Sequence, residues 1–127
     1  MVKQQPFVLV VEDDDILRTA IARNLQANGY FVFQAANFSE ALDEISVKPN
    51  LMILDINLPD ATGWDVAAWL ESLTTPVPIV LISGGTPDAA HLRRFHPVAF
   101  LPKPFGVDDL LAVVEEHLTK PATAFGV

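Results

Sequence analysis

Short, unbroken apolar runs alternate along this chain with stretches whose apolar residues return every three or four positions, and few folds accommodate that rhythm. Phe7-Val8-Leu9-Val10-Val11, Leu51-Met52-Ile53-Leu54 and Ile79-Val80-Leu81-Ile82 are continuous rather than alternating, so each predicts a strand covered on both faces. Tyr30 to Ala35 and Ala99-Phe100-Leu101 predict two more strands. Between the first two, Leu17, Ile21 and Leu25 recur at helical spacing in a segment running through Asn28, with Gly29 as its C′ residue. Asn37-Phe38-Ser39-Glu40 reads as a capping box opening a short helix over Ala41, Leu42 and Ile45. A third helix is expected from Gly63 and Trp64 to about Leu73. Pro87 reads as the first-turn residue of a short helix ending near Phe95. Gly106 precedes a last helix with Leu110, Leu111, Val114 and Leu118 on one face, stopped by Pro121.

The pattern is (βα)5. Right-handed βαβ crossovers turn it into an α/β fold, a parallel sheet with helices on both faces. No repeat or composition break divides the 127 residues, so residues 1–120 are expected to form one domain and 121–127 a tail or linker stub. In such sheets ligands bind outside the carboxyl ends of the strands, at the topological switch point. That rule gathers the polar residues into one candidate site. Glu12 and Asp13 follow strand one, Asp55 ends strand three, Ser83 ends strand four, and Lys103 follows strand five.

Asp55 is a carboxylate delivered by an apolar run, and an unpaired buried charge costs several kcal/mol. Glu12 and Asp13 should face it. Three clustered carboxylates repel one another, so either their pKa values rise or a hard cation sits among them. Mg2+ suits carboxylates, a carbonyl and waters, with Mn2+ a workable substitute. Lys103 could neutralise an added phosphoryl group and Ser83 could donate a hydrogen bond to it. Asp14 and Asp15 read instead as acids capping the first helix. His91 and His96, five residues apart, read as solvated helix residues, and Trp64 and Trp69 as core and surface packing.

Several function classes are excluded by composition. The chain has no cysteine, hence no disulfide, thiolate metal site or cysteine nucleophile. A formal charge of −8 and a pI near 4.6 oppose sequence-independent binding to nucleic acid or anionic membranes. No apolar run approaches the ~20 residues that span a bilayer, and the first six residues carry no signal-peptide hydrophobic region. A cytoplasmic location, with no nucleic-acid or membrane partner, is the expectation.

Phe7-Val8-Leu9-Val10-Val11-Glu12-Asp13-Asp14-Asp15, the stretch from Ile53-Leu54-Asp55 through Asn57-Leu58-Pro59-Asp60 to Gly63, Ile79-Val80-Leu81-Ile82-Ser83-Gly84 and Phe100-Leu101-Pro102-Lys103-Pro104-Phe105 closely resemble the motifs of response-regulator receiver domains. The resemblance runs from about Phe7 to Thr119. It implies a flavodoxin-like five-stranded sheet of order 2-1-3-4-5 and a signalling domain, not an enzyme acting on a separate substrate. Asp55 would be the phosphoacceptor, served by a histidine kinase or histidine phosphotransfer protein. Asp13 would bind Mg2+ directly, Glu12 through water, and Asn57 through its backbone carbonyl. Lys103 would pair with Asp55 and then with the phosphoryl group; Ser83 and Phe100 would be the switch residues. The Lys103–Pro104 peptide would be cis.

The stretch from Ser83 to Lys103 departs from the family pattern. Gly84-Gly85 and Pro87 open it, Arg93-Arg94-Phe95-His96-Pro97 closes it, and the fourth helix looks short. Gly84 and Gly85 should leave the site open to water on that side, and Phe100 lacks the hydroxyl of the commoner tyrosine. Output through an unidentified protein or domain, or through a homodimer on the face of helix 4, strand 5 and helix 5, is the expectation. Among rival readings, a flavodoxin-type cofactor binder would be repelled by four consecutive acids. A haloacid-dehalogenase-like phosphatase would want an acid where Asn57 stands. A degenerate receiver acting as a phosphorylation-independent interaction module is the serious alternative.

Overall fold

The computed structural model describes residues 5–45, 48–72 and 76–118. Among these residues five strands and five helices alternate: β1 (Phe7–Val11), α1 (Asp15–Ala27), β2 (Phe31–Ala35), α2 (Phe38–Ile45), β3 (Leu51–Asp55), α3 (Gly63–Leu70), β4 (Ile79–Ser83), α4 (Ala89–Phe95), β5 (Ala99–Pro102) and α5 (Val107–His117). All pairings are parallel and the sheet order is β2-β1-β3-β4-β5, the flavodoxin-like order expected. The order reverses between β1 and β3, so the ends of those two strands form the crevice.

Residue parity sorts the core into two layers. Val8, Val10, Leu51, Ile53, Val80 and Ile82 pack under α1 and α5, while their neighbours in sequence pack under α2, α3 and α4. Every residue of β3 and β4 is buried, which explains the unbroken apolar runs. At about 1.5–3 kcal/mol for each fully buried aliphatic side chain, this central pair holds the sheet together. It also fixes the register that brings Asp55 and Ser83 to one edge.

Several element ends differ from expectation for local reasons. Tyr30 lies outside β2: its N–H returns to the Leu25 carbonyl, closing α1 behind Gly29 at φ +92°. The α2 capping box is half formed. Asn37 Oδ1 accepts the Glu40 N–H, but Glu40 reaches the N–H of Ala36 instead of Asn37. Helix α3 stops at Leu70, where the Ser72 hydroxyl donates to the Trp69 carbonyl at 2.6 Å; Leu73 lies outside the described residues. Pro87 precedes α4, and Asp88 is its N-cap through the His91 N–H. Pro121 and the 121–127 tail also lie outside the described residues. Among the described residues, no helix is long and apolar enough to cross a membrane.

Helix α4 has seven residues and no fully buried side chain. It is attached to α3 by a stack of rings: His91 lies 4.8 Å from Trp64 at an interplanar angle of 6°, and Phe95 lies 5.7 Å from Trp64 at 14°. Asp88 Oδ2 stands 2.6 Å from His91 Nδ1, and Arg94 pairs with Glu71. His91 is thus a helix residue with a side chain 43% exposed, as expected, but it has partners in Asp88 and Trp64 that the sequence did not suggest. His96 is exposed, in the left-handed conformation that ends the helix. Trp64 is buried and Trp69 partly exposed, as expected.

Candidate functional site

The end of β1 delivers Glu12, which is completely buried, and the exposed Asp13. Glu12 is held at both ends. Its N–H donates to the Ala35 carbonyl, its own carbonyl accepts from Arg18 Nη1 at 2.9 Å, and Oε2 accepts the Asp14 N–H at 3.0 Å. Asp14 itself caps α1, accepting from the N–H groups of Ile16 and Leu17. Asp15 is exposed and pairs with Arg18. The run of four acids thus divides into two that face the crevice and two that serve the helix.

Asp55 ends β3 at 2% exposure. Its Oδ1 accepts the Asn57 N–H at 3.1 Å and its Oδ2 accepts from Lys103 Nζ at 3.0 Å. The same ammonium lies 2.7 Å from Glu12 Oε1, a contact close in distance but without hydrogen-bond alignment, so that buried oxygen is held by charge alone. One carboxylate oxygen from each of Glu12, Asp13 and Asp55 lies within 4.8 Å of the others. Lys103 can offset one of these three charges.

The imbalance shows in the titration behaviour. Burial pushes the Glu12 carboxyl up to about 7, against the opposing pull of Lys103 and the Asp14 N–H, with Asp55 and Asp13 adding to the rise. Burial also works against the Lys103 ammonium, but Glu12 and Asp55 outweigh it and hold its pKa above the ordinary value. The folded protein therefore keeps the Glu12 proton more tightly than the unfolded chain. This group's contribution to stability is complete below pH 4.5 and is lost as the pH rises to about 7. In chelator, urea melts should show stability falling across that window, by at most about 3 kcal/mol from this group. Glu12→Gln is expected to flatten the slope; an equal slope in the variant would assign the effect elsewhere.

Between Asp55 and α3 the chain makes a small hairpin. Leu58 N–H bonds the Ala61 carbonyl and Gly63 N–H bonds the Ile56 carbonyl at 2.6 Å, flanking an antiparallel pair, Asn57 and Thr62. In such a pair the flanked residues' own carbonyls point away from the ladder, which leaves the Asn57 carbonyl unconsumed by the hairpin. Three carboxylates, one such carbonyl and no sulfur or imidazole make a donor set for a hard divalent cation of the Mg2+ type. Glu12 Oε1, buried with an ion pair to Lys103 but no hydrogen bond, fits the same requirement.

Ser83 ends β4 one residue beyond Ile82, the register partner of Asp55. It is buried at 2% exposure, and its Oγ accepts the Gly85 N–H at 3.0 Å. The Lys103 N–H donates to the Ser83 carbonyl at 2.7 Å, binding the β4 and β5 ends together just where the lysine turns into the crevice. The Lys103–Pro104 peptide is cis. Phe100 pairs with Leu81 and Pro102 with Ser83, so Phe100 lies two residues below Ser83 on the neighbouring strand, half-buried against the α3–α4 layer. Gly84 and Gly85 are exposed.

Two features were not anticipated from sequence. Thr62 and Asp65 form a complete capping box at α3, whose signal, Thr-x-x-Asp before an apolar helix, is readable in the chain. Asp60 accepts hydrogen bonds from the N–H groups of Phe38 and Ser39, at 2.8 and 3.2 Å, across more than twenty residues.

The profile of the response regulator receiver domain family matches residues 8–115 of this chain. Response regulator MprA of Mycobacterium bovis is 35% identical over 122 residues, covering 92% of this chain and 53% of that protein. The chain thus spans about half the length of the curated relatives it matches. Among solved structures, the non-phosphorylated HemR receiver domain of Leptospira biflexa is 30% identical with a TM-score of 0.81, covering 94% of this chain and 100% of that one. The response regulator TrrA of Thermotoga maritima, in complex with Mg2+ and BeF, is 29% identical with a TM-score of 0.78, covering 90% and 100% respectively.

Proposed function

The chain belongs to the response regulator receiver domain family of two-component signalling, and from that membership we propose that Asp55 accepts a phosphoryl group from a phosphohistidine. The donor is a histidine kinase or histidine phosphotransfer protein. The observation that carries the reading is the setting of Asp55: a buried carboxylate within 3.0 Å of Lys103 Nζ and beside two further acids. Receiver domains bind Mg2+ through acidic residues, and Asp13, Asp55 and the Asn57 carbonyl would hold it here, with Glu12 acting through water. The ion, replaceable by Mn2+, supplies charge neutralisation and in-line orientation of the transferring group.

The chemistry then rests on this chain's own groups. An Asp55 carboxylate oxygen attacks phosphorus as the phosphorus–nitrogen bond to the donor imidazole breaks, and the electron pair leaves with that nitrogen. The product is an acyl phosphate. Lys103, already shared between Asp55 and Glu12, can transfer its ion pair to the new phosphoryl oxygens without moving its backbone. Ser83 gives up the Gly85 N–H contact and donates to a phosphoryl oxygen, and the space it vacates is taken by Phe100 on the adjacent strand. The face of α4, β5 and α5 would carry that change to an output protein, an output domain or a second copy. The phosphoacceptor unit is residues 1–120.

Titration with beryllofluoride and Mg2+, which together mimic the acyl phosphate, tests this. Amide resonances around Ser83 and Phe100 are expected to shift together and saturably, and to stay in place when Mg2+ is withheld. No response in the presence of both would favour a phosphorylation-independent interaction module.

A further inference from the structure

We infer that Asp60 is a positioning residue for the metal site, pinning the tip of the 57–62 hairpin to the N-terminus of α2 and so fixing the Asn57 carbonyl. The inference rests on the reading that this site binds Mg2+, and it adds a residue that touches neither metal nor phosphoryl group.

Besides the Asn57 N–H bond to Asp55 Oδ1, the hairpin is supported at its base and at its tip. Its base is fixed where Gly63 meets the backbone of Asp55 and Ile56. Its tip is Pro59-Asp60, between the bonded residues Leu58 and Ala61. There the Asp60 carboxylate takes the first two free N–H groups of α2, with one oxygen on each. The remaining first-turn donors are already used: the Glu40 N–H goes to Asn37 Oδ1 and the Ala41 N–H to the Asn37 carbonyl. Asp60 is thus matched to the two donors that would otherwise be unpaired. A negative charge at a helix N-terminus is also favoured by the helix dipole, and these two N–H bonds hold the Asp60 carboxyl below the usual carboxylate range.

The anchor point is itself tied to the other side of the site. The chain entering α2 is the end of β2, whose Ala35 carbonyl accepts the Glu12 N–H, and Glu40 bonds the N–H of Ala36. Backbone and side-chain bonds therefore run from Glu12 through Ala35, Ala36 and the start of α2 to Asp60, and on to Asn57. The carboxylate half of the site and the carbonyl half are spanned by one helix terminus. With Asp60 removed, the Asn57 carbonyl would be held by the base of the hairpin, the Leu58–Ala61 bond and the Asn57 N–H bond to Asp55, with nothing tying the tip to α2. Outer partners of metal ligands typically change affinity by about 10–100-fold.

Mg2+ alone, titrated calorimetrically into the full chain, gives the test. Asp60→Ala is expected to weaken Mg2+ about tenfold, at the low end of that range because the residue acts through the backbone. Asp60→Asn keeps an acceptor for the Phe38 N–H and is expected to recover most of the loss. Ser39→Pro removes the second donor in the first turn, where no intrahelical bond is lost, and should weaken Mg2+ less than Asp60→Ala. Combined with Asp60→Ala it should add little. Melting temperatures in chelator separate this from a capping role, because a cap alone lowers stability and leaves Mg2+ affinity unchanged in the folded protein. Unchanged affinity in Asp60→Ala overturns the inference and leaves the phosphoacceptor reading intact; absent Mg2+ binding in the wild-type chain overturns both.

Discussion

With asparagine at position 55, the protein is expected to take up no phosphoryl group from acetyl phosphate and Mg2+, while folding at least as stably as the wild type. Asn is nearly isosteric with Asp, so its oxygen can keep the Asn57 N–H bond while the amide nitrogen offers no competent nucleophile. Lys103 loses one partner but retains Glu12 at 2.7 Å. The change also removes a carboxylate that is 2% exposed and repels Glu12, which relieves charge crowding. Intact-protein mass spectrometry reads the loss directly, as the absence of a species one phosphoryl group heavier. Undiminished labelling of the variant would remove Asp55 from its role. A sharp loss of stability would instead show that the carboxylate is structural.

Gly63→Ala should produce the largest change in stability. A Cβ there would collide with the carbonyl oxygen of Asp55 and stand 2.9 Å from Ile56 Cα, both backbone atoms that cannot swing aside. Relief requires moving α3 away from β3 or opening the 2.6 Å bond from Gly63 N–H to the Ile56 carbonyl. Overpacking at a fixed backbone contact costs about 1–3 kcal/mol, and the broken bond brings the expected loss to about 3 kcal/mol or more. Urea unfolding should show a lower midpoint at unchanged slope. Because Asp55 and Asn57 lie on either side of the strained contact, Mg2+ affinity should fall with it. Gly84→Ala is the matched control: a Cβ there meets nothing within 4 Å, and stability should barely move.

The crevice was legible because continuous apolar runs leave little freedom of register. A strand buried on both faces must end where its apolar residues end, so Glu12, Asp55 and Ser83 could be placed at the sheet edge with no knowledge of their partners. Lys103 followed from the same count. What escaped the sequence was contact between side chains and distant backbone. Asp60 binds two backbone N–H groups that every residue type except proline carries, so nothing in Phe38 or Ser39 announces the contact. The partners of His91 escape for a different reason: with Pro87 inside the helix, Asp88 does not read as the cap three residues before it. The Trp64 ring that covers His91 comes from another helix and has no local signature at all.

Helix α4 gives the molecule two stabilities rather than one. The strands beneath it are sealed on both faces, whereas α4 is held through half-buried Leu92 and Phe95, one stack of rings and one exposed ion pair. Detaching it uncovers Trp64, Leu92 and Phe95 but breaks no strand pairing, so its release is expected as a local unfolding event below the free energy of opening the sheet. Amide exchange would then separate the chain into a slow floor and a fast roof. Asp55 stands on the floor, and the chain leaving Ser83 leads directly into the roof.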